Sequence, residues 1–338
     1  MNPPPDPAPP ARAGHPARFA DGLFLPECPR WHGGALWLCD MWAHEILRYT
    51  ASGRRSLIHR FDAAEDPGGL GWLPDGSLLV VGMEGRCVYR LDPSAGAPSS
   101  EAAGDRGRDR EDEGIGGYGR GRGREDAGTA RTALRHADLA VVAPWPCNDM
   151  IVRRDGTGWV SHFGYDMWGG TTGFLPATLI RVTRDGRADV VAEDLLAPNG
   201  MALSVDERTL YLSECGRSQI LAFDVEPDGA LANRRVFAHL PCAPGLEFAP
   251  PDGICLDAAG AIWAAEPLGR RVLRIDPSGR VTDEIGFDQS PLAVVLGGED
   301  RRTLFVCSSA EHDKTQRSAR PTGRVDALRV AVPGAGRP

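Results

Sequence analysis

The chain has 338 residues, 42% of them hydrophobic, and a formal net charge of −8 at pH 7. That balance is enough for a large core and leaves no basic footprint for nucleic acid. It offers nothing to an anionic membrane surface, and no apolar run reaches the length of a membrane span.

Residues 1–18 are rich in Pro and Ala and lack the basic and apolar regions of a secretory signal, so they are expected to form a disordered tail. Beyond them the chain repeats itself, and repeats decide the fold. The first copy runs Glu27-Cys28-Pro29-Arg30-Trp31, then residues 35–40 and 45–49. The second uses 68–73, 77–81 and 87–92, and the third 148–152, 158–161 and 178–182. The fourth uses 199–203, 209–212 and 219–224, and the fifth 252–256, 261–263 and 271–275. The sixth uses 292–296, 302–306 and 323–330.

Each copy holds three short runs rich in Val, Ile, Leu and aromatics, punctuated by Asp-Gly, Ser-Gly or Gly-Gly turns. Segments between copies, such as 189–192 and 280–285, supply a fourth strand. No stretch keeps a 3.6-residue apolar period, so helix is scarce. Four-stranded units at a period of about 40–50 residues predict an all-β fold, a six-bladed β-propeller. It is expected as one domain over 19–332, with 333–338 as a short disordered tail. From 94 to 132 the chain is Gly, Arg, Asp and Glu with almost nothing apolar, which predicts a disordered insertion between the second and third copies.

The eight cysteines are scattered and form no CxxC pair. Several sit inside apolar strands, where Cys acts as a small hydrophobe, so a reduced, cytoplasmic protein is expected. Propellers are commonly self-sufficient, and a monomer is expected.

Aligning the copies on the turn after the first strand puts Glu27, Gly68, Asn148, Asn199, Asp252 and Leu292 at one slot. In a propeller this slot opens the innermost strand, so its side chains converge on the central channel. Asn199 and Asp252 precede Gly, and each alone reads as a turn residue. Glu27 alone reads as a solvated loop residue. Together they place two carboxylates and two amides on one axis. Hard oxygen donors suit a divalent cation, Ca²⁺ best, with Mg²⁺, Mn²⁺, Zn²⁺ or Fe²⁺ also open. Asp40, His44, His162, Tyr165, Asp166 and Glu214 follow second strands and read as surface loop residues before substrate contacts. Met41, Trp42, Phe163, Met167 and Trp168 offer an apolar wall or ordinary packing. No nucleophile elbow and no phosphate-binding glycine loop is present.

Glu27-x-Pro-x-Trp, Asn148-Asp149, Pro198-Asn199-Gly200 with Leu-Tyr-Leu-Ser-Glu after it, and Pro251-Asp252-Gly253 occur in that order. This set resembles the gluconolactonase family that includes regucalcin (senescence marker protein). The resemblance implies a six-bladed propeller lactonase with one divalent metal ion. By motif it implies Glu27, Asn199 and Asp252 as metal ligands, Asn148 as a substrate contact, and Asp252 as general base. Some members carry Arg two residues before that asparagine, where this chain has Pro146. The implied reaction is hydrolysis of a small sugar lactone to the open-chain acid, by water activated at Asp252 or at the metal. Another lactone, ester or phosphotriester hydrolase on the same site, or a non-enzymatic calcium-binding propeller, is the alternative.

Overall fold

Short β-branched and aromatic runs, cut by turn residues, fold as twenty-four strands in six four-stranded sheets. The computed structural model describes residues 15–92, 133–166, 173–311 and 320–335. The first strand, β1 (Ala17–Leu23), belongs to the last sheet. Blade 1 follows as β2 (Pro26–His32), β3 (Ala35–Asp40), β4 (Glu45–Thr50) and β5 (Arg55–Arg60). Blade 2 is β6 (Pro67–Trp72), β7 (Leu78–Gly82), β8 (Cys87–Leu91) and β9 (Ala133–Asp138). Blade 3 is β10 (Cys147–Val152), β11 (Gly158–His162), β12 (Ala177–Val182) and β13 (Ala188–Leu195). Blade 4 is β14 (Pro198–Leu203), β15 (Thr209–Glu214), β16 (Gln219–Val225) and β17 (Leu231–His239). Blade 5 is β18 (Ile254–Leu256), β19 (Ile262–Glu266), β20 (Arg271–Ile275) and β21 (Val281–Gly286). Blade 6 is β22 (Ser290–Gly297), β23 (Thr303–Ser309) and β24 (Gly323–Arg329), completed by β1.

All pairings are antiparallel neighbours, and the first strand of each blade packs against the first strands of the blades beside it. The contacts run β2 to β6, β10, β14, β18, β22 and back to β2, which closes the ring. Glycine permits this closeness. A Cβ on Gly253 would stand 2.4 Å from that of Ala293, so no larger residue fits between blades 5 and 6 there.

The core is divided among the blade interfaces. Ile151, Trp159 and Leu179 of blade 3 pack on Met201, Leu210 and Phe223 of blade 4. Leu36, Leu38 and Leu47 of blade 1 pack on Val295, Phe305 and Val325 of blade 6. Each such side chain, fully buried, contributes about 1.5–3 kcal/mol. A single blade leaves one face bare, so stability requires the closed ring.

Three features differ from the sequence expectation. Residues 17 and 18, expected in the tail, belong to β1, which pairs Ala17 with Ala327 and Leu23 with Gly323. The two ends of the chain therefore tie blade 6 together. The insertion connects β8 to β9 inside blade 2, not blade 2 to blade 3. The expected disorder at 94–132, and residues 1–14 and 336–338 of the expected tails, lie outside the described residues, while residues 333–335 are tied down by Ala258 N–H to Pro333 O and Gly334 N–H to Arg301 O, each at 2.8 Å. Among the described residues the only helices are two 3₁₀ turns, Met41–Ala43 and Cys215–Arg217. No helix there is long and apolar enough to cross a membrane.

Candidate active site

A proline precedes the slot in five blades: Pro26, Pro67, Pro198, Pro251 and Pro291. Proline has no N–H for the ladder, and the strand breaks register just after it. Register shifts fall between Glu27 and Arg30, Pro67 and Leu70, Pro198 and Met201, and Pro291 and Ala293. Blade 3 does the same from Cys147 to Met150. In blade 5 the regular strand starts only at Ile254, while Asp252 N–H still reaches Ala265 O at 2.9 Å. The regular pairing of the first two strands is thus interrupted at or just after the slot in every blade.

Glu27 and Asp252 belong to blades that are not neighbours, yet their charges interact. These two carboxyls therefore share one field across the ring. Both carboxyls are held above the usual carboxylate range. For Glu27 burial is the main cause, followed by the Asp252 charge, while the Cys28 N–H, donating to Oε2 at 2.9 Å, works the other way. For Asp252 burial again leads, then the charge of Asp149, opposed by the Asn199 side-chain amide and the Gly253 N–H. Both residues keep some solvent access despite the dense protein around them, as groups at the base of a mouth do. Asn148 is 4% exposed, and its buried Nδ2 has no hydrogen-bond partner among the described residues.

The guanidinium that acts on Glu27 is that of Arg30, and it is already engaged. Arg30 reaches from β2 to blades 2 and 3, donating from Nη2 to Asp149 Oδ1 and Met150 O at 2.5 Å each. Its Nε donates to Leu70 O at 3.1 Å and its Nη1 to Pro29 O at 3.0 Å. The Arg30–Asp149 pair is neutral as a unit, so Glu27 and Asp252 have no cation of their own. Two uncompensated carboxylates beside two amides fit a divalent cation, the more so because like charges in a dry site otherwise repel. Among the described residues no three His, Cys, Asp or Glu side chains gather as a metal cluster.

The neighbours are apolar. Cys28, Leu25, Met41, Trp42, Phe163 and Leu292 form one buried cluster, with Tyr165 packed on it. Tyr165 stands edge-on to Phe163 at 6.2 Å and to Phe174 at 5.2 Å, and burial followed by the charges of Cys215 and Asp252 raises its hydroxyl to about 12. Met41, Trp42 and Phe163 are packing residues, while Met167 and Trp168 lie outside the described residues.

Asp40, Glu214 and His162, expected in surface loops, are 1%, 0% and 1% exposed. They serve backbone groups of the connecting segments. Asp40 accepts the N–H of Phe24 and Leu25, and Glu214 that of Leu196 at 2.9 Å. His162 is faced by Gly164 N–H at Nδ1 and by both the N–H and the hydroxyl of Thr178 at Nε2; the neutral ring accepts at one of these nitrogens and donates at the other. His44 pairs with Asp66 at 2.9 Å. The Arg30–Asp149 pair was missed by sequence reasoning, although an arginine inside an apolar strand is a buried-charge signal. A cavity of about 410 Å³ on the flank of blade 4, lined by Arg217, Arg234 and Arg235, is remote from this chemistry. Those arginines are already paired with Asp194, Glu214 and Asp224.

A closed six-bladed ring with acid and amide side chains at one mouth defines a propeller with a candidate cation-assisted active site. The chain belongs to the SMP-30/gluconolactonase/LRE-like family, which it matches over residues 25–310. It is 37% identical over 163 residues to 6-deoxy-6-sulfogluconolactonase of Pseudomonas putida, covering 47% of this chain and 55% of that one. The matched region thus spans about half of that relative's length. It is 30% identical over 263 residues to pentonolactonase XacC of Haloferax volcanii, covering 70% and 79% of the two chains. A calcium-binding protein, regucalcin, from Agrobacterium tumefaciens superimposes with a TM-score of 0.68 at 20% identity, covering 98% and 97%. At that identity the likeness concerns the fold alone.

Proposed function

We propose that the protein hydrolyses a small sugar lactone to the open-chain acid, with a divalent cation, Ca²⁺ on donor grounds, held by Glu27, Asn199 and Asp252. The observation that carries this reading is the pair of partly buried carboxylates, Glu27 and Asp252, with no cation of their own. Family membership and relatives named as lactonases support it. When bound, the ion supplies Lewis-acid polarisation of the lactone carbonyl.

The chain's own groups do the rest. Asp252 takes a proton from the attacking water, and the Asn199 amide steadies its carboxylate. The water oxygen bonds to the carbonyl carbon, the ring C–O bond breaks, and the ring oxygen leaves with a proton. Asn148 Nδ2, lacking an internal partner, donates to a substrate oxygen. The Tyr165 ring offers a flat apolar surface to one face of the lactone. All eight cysteines are unpaired and six are buried, which favours a reducing, cytoplasmic setting.

The test is metal analysis of the purified protein, followed by proton release from neutral aldono-1,4- and 1,5-lactones. Cation binding with no acid released from any lactone would leave a calcium-binding propeller and end the lactonase reading.

A further inference from the structure

Beside the register break, the slot residue also presents its backbone carbonyl to the neighbouring blade. In blades 4 and 5 that carbonyl is met from the blade before. Ser161 Oγ donates to Asn199 O at 3.1 Å, and Ser213 Oγ donates to Asp252 O at 2.7 Å. Both serines are 0% exposed, so no water replaces these bonds. Ser161 Oγ also accepts the N–H of Asp149 at 3.1 Å, which joins the backbone beside Asn148 to Asn199. Ser213 Oγ also lies 3.1 Å from Gly200 O, but its single proton serves the shorter contact to Asp252.

The two serines occupy one structural position. Each lies one residue before the partner of the residue that precedes the slot: Pro26 pairs with Asp40, Cys147 with His162, and Pro198 with Glu214. Across the blades this position holds Cys39, Val81, Ser161, Ser213, Ala265 and Cys307. Hydroxyls stand only where the next blade presents Asn199 or Asp252. Cys39 makes the equivalent contact in blade 1, Sγ to Gly68 O at 2.9 Å, toward a slot with no side chain.

We propose that Ser161 and Ser213 are positioning residues that pin the backbones of Asn199 and Asp252 and so set the spacing of the cation ligands. This rests on reading the slot as a cation site. Neither serine touches the ion or the substrate. Each acts through the backbone carbonyl of the ligand residue itself.

The test uses the full-length protein stripped of metal, with Ser161→Ala, Ser213→Ala and, as matched control, Cys39→Ala. Affinity for Ca²⁺ and Mn²⁺ is measured by calorimetry, and the metal-free unfolding midpoint is measured in parallel. All three variants are expected to lower the midpoint by similar amounts. The two serine variants are expected to weaken the cation Kd by about tenfold or more, the size seen when groups orienting metal ligands are removed. Cys39→Ala should stay within about twofold, since its Sγ meets only the carbonyl of Gly68 and its pairing with Glu27 is a backbone one that alanine keeps. Ser161→Cys and Ser213→Cys, which keep a weak donor, should lie between and cover the case of an alanine variant that does not fold. Equal affinity in the serine and Cys39 variants would overturn the proposal and leave the hydroxyls purely structural. Failure of the wild type to bind either ion would instead remove the cation site, and the proposal with it.

Discussion

Replacing Arg30 by Met tests how the charges beneath the mouth are balanced. Arg30 and Asp149 are each 4% exposed, and their contact at 2.5 Å is the only charge-neutralising one Asp149 makes. Met keeps the length of the stem and removes the guanidinium. Asp149 is then left with its own Met150 N–H at 2.8 Å, and Leu70 O and Met150 O lose a donor. Removing one partner of a buried ion pair costs about 3–5 kcal/mol. An unfolding entropy of about 2.1 cal/mol/K per residue gives roughly 0.6 kcal/mol/K for a chain near 300 residues, so the midpoint falls by about 5–8 °C. Asp149→Leu alone should cost a similar amount. The double variant should recover much of the loss, because two apolar groups leave no buried charge behind.

The assay is thermal unfolding of chelator-treated protein, wild type against the two single variants and the double. A single-variant loss below about 1 kcal/mol would refute the reasoning, since it would mean that water reaches the pair. A second consequence is specific to the site. Without Arg30, the three carboxylates whose charges act on one another, Glu27, Asp149 and Asp252, lose the guanidinium beside them. Added Ca²⁺ or Mn²⁺ should therefore raise the midpoint of Arg30→Met more than that of the wild type. An equal or smaller rise would show that Arg30 does not share the field of the slot.

Asp252→Asn should raise the midpoint of the metal-free protein, because it removes a buried charge held among others of its sign, while cation binding is lost and lactone hydrolysis falls by at least about a hundredfold. Calorimetry and proton release read these separately, and a midpoint that falls would argue against the repulsion. Tyr165→Ala should raise KM about tenfold and leave kcat nearly unchanged, as expected for loss of a stacking surface that binds substrate and transition state alike; a fall in kcat at constant KM would contradict it. His162 should make stability depend on pH, since burial lowers its pKa to about 4 and backbone N–H groups face both ring nitrogens. Below its unfolded value near 6.5 the unfolded chain takes the proton and the folded chain does not. Its contribution is therefore complete above about pH 6.5 and lost as pH falls toward 4, by about 2 kcal/mol at pH 5. Urea midpoints at pH 7.5 and 5.0 should show this difference in wild type and a smaller one in His162→Gln.

The ring and its slot were legible in the sequence because both recur. Turn glycines and apolar alternation repeat at one period, so six weak signals reinforce each other. What recurs nowhere was not legible. Ala17–Leu23 matches no copy, and its pairing with β24 depends on the ring having closed. Ala133–Asp138 is half exposed and follows the charged insertion, so no apolar face marked it as the fourth strand of blade 2. Arg30 and Asp149 stand 119 residues apart, and only the close approach of blades 1, 2 and 3 at the axis makes them partners. Asp40, Glu214 and His162 looked exposed because polar residues after a strand usually are; here the connecting segments fold over them and leave N–H groups to be satisfied.

The two slots without an oxygen donor bear on the chemistry as much as the four with one. A Cβ on Gly68 would stand 2.3 Å from Asn148 O, so blade 2 must offer no side chain for blade 3 to bring Asn148 to the axis. The next position is equally tight, since a Cβ on Gly69 would stand 2.0 Å from Met150 N. Similarly, a Cβ on Gly200 would lie 2.8 Å from Asp252 O, so the distance from Asn199 to Asp252 is fixed by a missing side chain between their blades. Leu292 fills its slot with hydrocarbon and joins the apolar cluster under Tyr165, which leaves one sector of the mouth dry. Gly68→Ala should therefore displace Asn148 while Glu27, Asn199 and Asp252 stay in place: substrate binding should weaken and cation affinity should hold. Loss of both together would mean that the ring transmits the strain around its whole circumference and that the slots are not independent.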